Sequence, residues 1–193
     1  MRFAACPPDA HGTLTKYFKI PDDFCYKIPL TMGLDEATLV EPLAVAVHTN
    51  RLAGVEPGQS VVVFGSGTIG LLCAAVSKAF GARRVVAVDI LEDKLQFAKG
   101  YIPDCDVFRP SLELSPEENA EAIIHGYDLG HGANAVLEAS GAEASVRTGI
   151  HVLCRSGAMV LVGLGKPGMS SFPIMALSQK EVNVREAANF SDL

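Results

Sequence analysis

From Ser60 onward, short β-branched runs alternate with stretches whose apolar residues recur at helical spacing. "SVVVF" (60–64) predicts a strand, "TIGLLCAAVSKAF" (68–80) a helix, "RVVAVD" (84–89) a strand and "EDKLQFAKG" (92–100) a helix stopped by glycine. The alternation continues with a short strand at 106–108 and a helix in "SPEENAEAIIHG", with Ser115 as N-cap and Pro116 at the first helical position. A strand at 133–139, a helix at 143–154 and a strand at 158–164 follow, and "EVNVR" (181–185) fits a sixth strand. A βαβα order of this kind predicts an α/β fold, a doubly wound parallel sheet of about six strands with crossover helices.

The first 58 residues have a different texture. "GTLTKYFKI" (12–20) alternates like an exposed or half-buried strand, "IPDD" and "KIP" read as turns, and "LDEATLVEPLAVAVHTNRLAG" (34–54) is helical with a break expected at Pro42. This part resembles the tail of another domain. In its helical stretch Leu39, Val40, Leu43, Ala44, Val45 and Val47 read as a buried face, yet Glu41 sits among them. A carboxylate withdrawn from water needs a cation, a metal or hydrogen-bond donors, and the neighbouring residues offer no cation.

The 193 residues are 49% hydrophobic, enough for one domain with a real core. Net charge is −6 and the basic residues are scattered, which disfavours nucleic acid and anionic membranes and favours small-molecule partners. No apolar run approaches the roughly 20 residues of a membrane-spanning helix, and "MRFAACPPDA" lacks the form of a secretory signal, so a cytoplasmic location is expected. Cys6, Cys25, Cys73, Cys105 and Cys154 show no C-x-x-C spacing and read as free thiols.

The chemistry is carried by "VVVFGSGTIG", which sets Gly65, Gly67 and Gly70 in G-x-G-x-x-G register between a strand and a helix. Alone, the pattern fits a structural turn as well. Asp89, however, ends the next strand 19 residues beyond Gly70, where a carboxylate can accept the ribose hydroxyls of an adenine dinucleotide. Gly65 would permit the tight turn, Gly67 the approach of the pyrophosphate and Gly70 close packing of helix on strand, with the N–H groups of the helix start facing the phosphates. Asp89 would repel a 2′-phosphate and no arginine immediately follows it, so NAD is expected over NADP. Arg83 and Arg84, at the far end of the strand, are expected to cap the loop.

"GTLTKYFKIPDDFCYKIP", "LVEPLAVAVH", "VEPGQSVVVFGSGTIGLL", "VVAVDI", "LEASGAE" and "SFPIMALSQKEVNV", in that order, resemble the zinc-dependent medium-chain dehydrogenases, most of all the fungal xylitol and sorbitol dehydrogenases, over about residues 2–185. The resemblance implies residues 1–45 as a remnant of a GroES-like catalytic domain, 46–185 as an NAD-binding Rossmann domain and 186–193 as a divergent tail. It implies a catalytic zinc that polarises an alcohol giving hydride to NAD. Glu41 becomes the carboxylate near that zinc, as catalytic residue or metal ligand in a complete homologue. Ile69 is implied at the pyrophosphate, Asp89 and Lys94 at the adenosine ribose, and Val162, Gly163 and Leu164 at the nicotinamide. A polyol or ketose is the implied small-molecule partner, and the family forms homo-oligomers.

In that family the Cys and the His-Glu pair that hold the catalytic zinc, and the four-cysteine structural loop, precede the segment where this chain begins. A Phe-Arg-Tyr stretch that contacts substrate follows the segment where it ends. The expectation is therefore a chain truncated at both ends that binds no zinc itself. His48, two helical turns beyond Glu41, is a weak ligand candidate, and His125, His131 and His151 are expected to be solvated. Two functions follow: an NAD-dependent polyol dehydrogenase, and a non-catalytic NAD-binding module. A methyltransferase using the same glycine loop is disfavoured because the resemblance extends well beyond that loop.

Overall fold

A computed structural model describes residues 5–6, 10–165 and 172–187. These residues form α1 (Val40–Ala53), β1 (Ser60–Phe64), α2 (Thr68–Ala79), β2 (Arg84–Val88), α3 (Glu92–Tyr101), β3 (Cys105–Phe108), α4 (Pro116–Gly126), β4 (Ala133–Glu138), α5 (Glu143–Val152), β5 (Leu153–Leu161), α6 (Ile174–Lys180) and β6 (Asn183–Glu186). The six strands make one parallel sheet in the order β3-β2-β1-β4-β5-β6. The chain winds outward from β1 to β3, then returns to β4 on the other side of β1. That reversal opens a crevice beyond the carboxyl ends of β1 and β4.

Every residue of β1 is buried, so the strand reads as a continuous apolar run rather than an alternation. Val61 and Val63 pack into a core with Ala46, Cys73, Ala74, Ala98 and Ile102 from α1, α2 and the α3 region. Val62 and Phe64 point the other way, to Ile123, Val146, Ile150 and Met159 from α4, α5 and β5. Both faces are thus covered. One polar group crosses the first layer: buried Asn50 on α1 donates from Nδ2 to the carbonyls of Ala46 (2.9 Å) and Cys73 (3.1 Å), and its Oδ1 lies 2.7 Å from Ser77 Oγ on α2. α4 opens as expected on Ser115, whose Oγ accepts the Glu118 N–H at 3.1 Å while Glu118 Oε2 accepts the Ser115 N–H at 2.8 Å.

Several expectations need correction. β5 begins at Leu153 rather than 158, and its register against β4 shifts between Ala133 and Ala135, with Ser156 at φ 57. The intervening residues leave the ladder, which is why they lack a strand-like apolar pattern. Residues 12–20 form no strand: no element pairs with them, and alternation cannot supply a hydrogen-bonding neighbour. Upstream, only an antiparallel bridge joins Ala5–Cys6 to Ala10–His11. The helical break lies at Thr38–Leu39, after a single turn at Leu34–Ala37. Pro42 is the third residue of α1, in the first turn, where an N–H would have no intrahelical acceptor in any case. Arg84 does not cap a loop but pairs with Asp106 at 2.9 Å.

The described residues divide into two units, one running to Glu41 and one from Pro42 to Ala187. In the first, Phe18, Phe24 and Tyr26 are exposed, as the sequence suggested. Of the tail at 186–193, only Glu186 and Ala187 fall among the described residues. No helix among them is long and apolar enough to cross a membrane. Cys25, Cys73, Cys105 and Cys154 are free thiols, and burial pushes the Cys73 thiol up to about 12. The Cys6 side chain lies outside the described residues.

His151 is not solvated. It is half-buried at the end of α5, with Nε2 3.0 Å from Glu117 Oε1 on α4 but without hydrogen-bond alignment. Desolvation lowers its pKa below the ordinary 6.5; Glu117 opposes the shift, while Lys180 and Arg147 reinforce it. The Glu117 carboxyl is also lowered, chiefly by a backbone hydrogen bond at the helix start. A depressed folded-state histidine pKa means that the unfolded chain takes up protons first as pH falls below 6.5, so the contribution present above that value is lost on acidification. His151→Gln should therefore flatten the dependence of Tm on pH across the range just below neutrality. Parallel melting profiles of the two proteins would refute this.

Candidate dinucleotide-binding site

The loop leaving β1 is shaped by three glycines. Gly65 has φ +91, its N–H donates to the Val88 carbonyl at 2.7 Å, and a Cβ there would lie 2.9 Å from Ser140 N. Gly70, buried in α2, passes so close to the loop that a Cβ would sit 1.7 Å from the Gly65 oxygen. Gly67, the N-cap of α2, is different: a Cβ there meets nothing within 4 Å. Its bare backbone faces open space ahead of the helix N-terminus, where the first N–H groups, that of Ile69 included, have no intrahelical acceptor. The Ile69 side chain is half-buried and packs on the core.

Asp89, just past β2, is held against this loop. Oδ2 accepts the Ser66 N–H at 2.8 Å and Oδ1 accepts the Leu91 N–H at 3.0 Å, leaving the carboxylate side chain 8% exposed. Lys94 Nζ is 3.8 Å from Oδ2. Ser66 itself is buried, and its Oγ has no partner among the described residues. A buried hydroxyl left unsatisfied costs roughly 1–3 kcal/mol, so a bound group or a water is called for there. The open face of Gly67 and this orphaned hydroxyl both fit a bound dinucleotide.

Across the crevice, the Val162 and Gly163 N–H groups donate to the Glu138 carbonyl at 2.8 and 2.9 Å, while Leu164 is exposed. The buried Glu138 carboxylate at the end of β4 collects donors from the next turn. Its Oε1 accepts Ser140 N–H (2.9 Å), the Ser140 hydroxyl and Gly141 N–H (3.0 Å). Sequence reasoning missed Ser66, Glu138, Ser140 and Gly141. A carboxylate interrupting the apolar run "AVLEASG" was the available signal for Glu138.

Zinc is a different matter. Among the described residues no three His, Cys, Asp or Glu side chains come together as a ligand set. Glu41 is exposed in the first turn of α1, and Leu39, Val40 and Leu43 beside it are 51%, 49% and 42% exposed. Ala44, Val45 and Val47 further along are half-buried, so the expected face is present only in its second half and Glu41 itself is not desolvated. His48 is half-buried and joins no ligand group, and His125 and His131 are exposed. The described residues do not form a zinc site, and no step is derived through one.

A family profile described as zinc-binding dehydrogenase matches residues 68–191. The chain belongs to the zinc-binding dehydrogenase family. The chain is 55% identical over 185 residues to D-xylulose reductase A of Aspergillus oryzae, covering 96% of itself and 51% of that protein. It thus spans about half the length of the curated relatives it matches. Among solved structures it resembles L-idonate 5-dehydrogenase of Escherichia coli, with a TM-score of 0.79 and 30% identity over 95% of this chain and 50% of that one. A Sinorhizobium meliloti structure bound to NADP shares the fold, with a TM-score of 0.80 and 24% identity over 92% of this chain and 51% of that one. The doubly wound parallel sheet read from the sequence is thus a fold this chain shares with these solved structures.

The second and third glycines of the motif separate stability from binding. Gly70→Ala should destabilise by about 3 kcal/mol, because its methyl group must displace the Gly65 backbone. Gly67→Ala should stay within about 1 kcal/mol of the parent, having free space and φ −81, yet should weaken NAD binding. Melting curves and NAD titrations on both variants check this; equal Tm losses would contradict it.

Proposed function

We propose that this chain is the nucleotide-binding portion of an NAD-dependent polyol dehydrogenase, interconverting a secondary alcohol such as xylitol or sorbitol with its ketose. The observation that carries the cofactor assignment is Asp89, fixed by two backbone N–H groups beside the glycine loop. The polyol rests on the name of the Aspergillus relative, D-xylulose reductase. When bound, NAD supplies the acceptor for hydride. Gly65, Gly67 and Gly70 clear the backbone for the pyrophosphate and the Ile69 N–H faces it. Asp89 and Lys94 take the adenosine ribose. The Val162–Leu164 segment flanks the nicotinamide. Residues 1–45 belong, on this reading, to the catalytic domain, with Glu41 serving the metal only where a full ligand set exists. A cytoplasmic, homo-oligomeric enzyme is the accompanying expectation.

The second reading, a module that holds NAD without transferring hydride, is favoured by the missing ligand group among the described residues. Zinc content separates the two: about one equivalent of metal together with xylitol-dependent NAD reduction supports the enzyme. Zinc-free protein that still binds NAD supports the module.

Asp89 should also decide cofactor choice. It can accept from ribose hydroxyls but repels a phosphate dianion, so NAD should bind more tightly than NADP. Asp89→Ala should weaken NAD about tenfold or more, since hydrogen bonds to a charged group contribute about 1.5–3 kcal/mol, and should narrow the preference. Equal affinities for both nucleotides in the unmodified chain would sink the assignment.

A further inference from the structure

The Glu138 carboxylate is the one buried acid in the sheet, and the proposed cofactor contacts leave it unused. It projects from the last residue of β4 into a turn made of small residues. Oε1 receives Ser140 N–H, Ser140 Oγ–H and Gly141 N–H, and the Gly141 N–H is shared with Oε2 at 3.1 Å. All of these partners donate, and the carboxylate meets them with acceptor lone pairs alone. Ser140 Oγ in turn accepts the Ala142 N–H at 3.1 Å, at the N-cap of α5.

This turn touches both sides of the crevice. Toward the glycine loop, a Cβ on Gly65 would meet Ser140 N at 2.9 Å and the Ala139 carbonyl oxygen at 3.0 Å. Toward the other side, a Cβ on Gly163 would lie 2.3 Å from Gly141 N and 3.0 Å from Glu138 Oε2, and one on Gly141 would lie 2.6 Å from the Leu164 oxygen. Backbones this close cannot move independently, so the position of Gly141 dictates the path of residues 162–164. The main chain of Glu138 holds the same segment through the Val162 and Gly163 N–H groups. One residue therefore grips the turn with its side chain and the facing segment with its carbonyl.

We infer that Glu138 is a positioning residue for the nicotinamide half of the cofactor: its carboxylate fixes the 139–142 turn, and the turn sets the 162–164 segment. The inference rests on the dinucleotide-binding reading above and goes beyond it, because it assigns the two halves of the crevice to separate supports. The adenosine half depends on Asp89 and the glycine loop; the nicotinamide half depends on Glu138. Glu138→Gln keeps the shape but replaces one oxygen with an NH2 group. An NH2 at the Oε2 position would face the Gly141 N–H, donor against donor.

The test titrates the full chain with NADH and with AMP, following NADH by its emission and AMP by calorimetry. AMP reports only the adenosine half. Glu138→Gln should weaken NADH about tenfold and abolish the emission shift of a sequestered nicotinamide, while AMP affinity stays within about twofold. Ser140→Ala removes one donor to the carboxylate and should give a smaller loss of the same kind; it decides the matter if the Gln variant fails to fold. Unchanged NADH binding overturns the inference, as does a parallel loss of NADH and AMP, which would make Glu138 a general structural residue. If the unmodified chain binds neither ligand, the dinucleotide reading itself falls and takes this inference with it.

Discussion

Gly70 has no side chain, and helix α2 can start where it does only for that reason. With a Cβ 1.7 Å from the Gly65 oxygen, the helix would have to leave the end of β1. Its N-terminal N–H groups would then no longer face the crevice between β1 and β4. The same constraint recurs where Gly65 meets Ala139 and Ser140, and where Gly141 meets Gly163. Backbone crosses backbone at each of these places, so the carboxyl edge of the sheet is one rigid lattice of main chain. Side chains in such places would hold the loops apart.

The sheet behind this edge tolerates such crowding because its helices also approach closely. Ala46, Ala53, Cys73, Ala74 and Ala98 supply small buried surfaces on one face of the sheet. Asn50 and Ser77 then join α1 to α2 by hydrogen bonds that have no solvent competitor. Removing Ser77 would leave the buried Asn50 Oδ1 unpaired, which costs more than the bond contributes when made. The close packing and the polar link act together: the first excludes water, and its exclusion makes the second binding.

The sheet was legible because β1 and β2 are buried almost throughout and show it as β-branched runs, and β4 carries the shorter apolar run Ala135–Leu137. Ser115 was legible because a cap acts over three residues. Residues 12–20 were misread because alternation records which side chains meet water, not whether another strand lies alongside. The Glu41 stretch failed in the same way: Leu39, Val40 and Leu43 have the composition of a buried face but remain exposed. Within the site, the glycines and Asp89 could be found because one local spacing fixes them. Glu138 showed only as a carboxylate interrupting an apolar run; that its turn meets Gly163 depends on the order of strands β4 and β5 in the sheet.

Cofactor recognition and chemistry make different demands on the chain. The residues assigned to the dinucleotide lie between Gly65 and Leu164, inside the unit that runs from Pro42 to Ala187. On the proposed reading they would act through backbone N–H groups, one carboxylate and the absence of side chains, features the sheet holds in place. Polarising an alcohol through zinc needs a cluster of metal ligands, and the described residues contain none. On the proposed reading, affinity for the nucleotide would rest on the sheet and its edge, whereas hydride transfer would require groups beyond those the sheet carries.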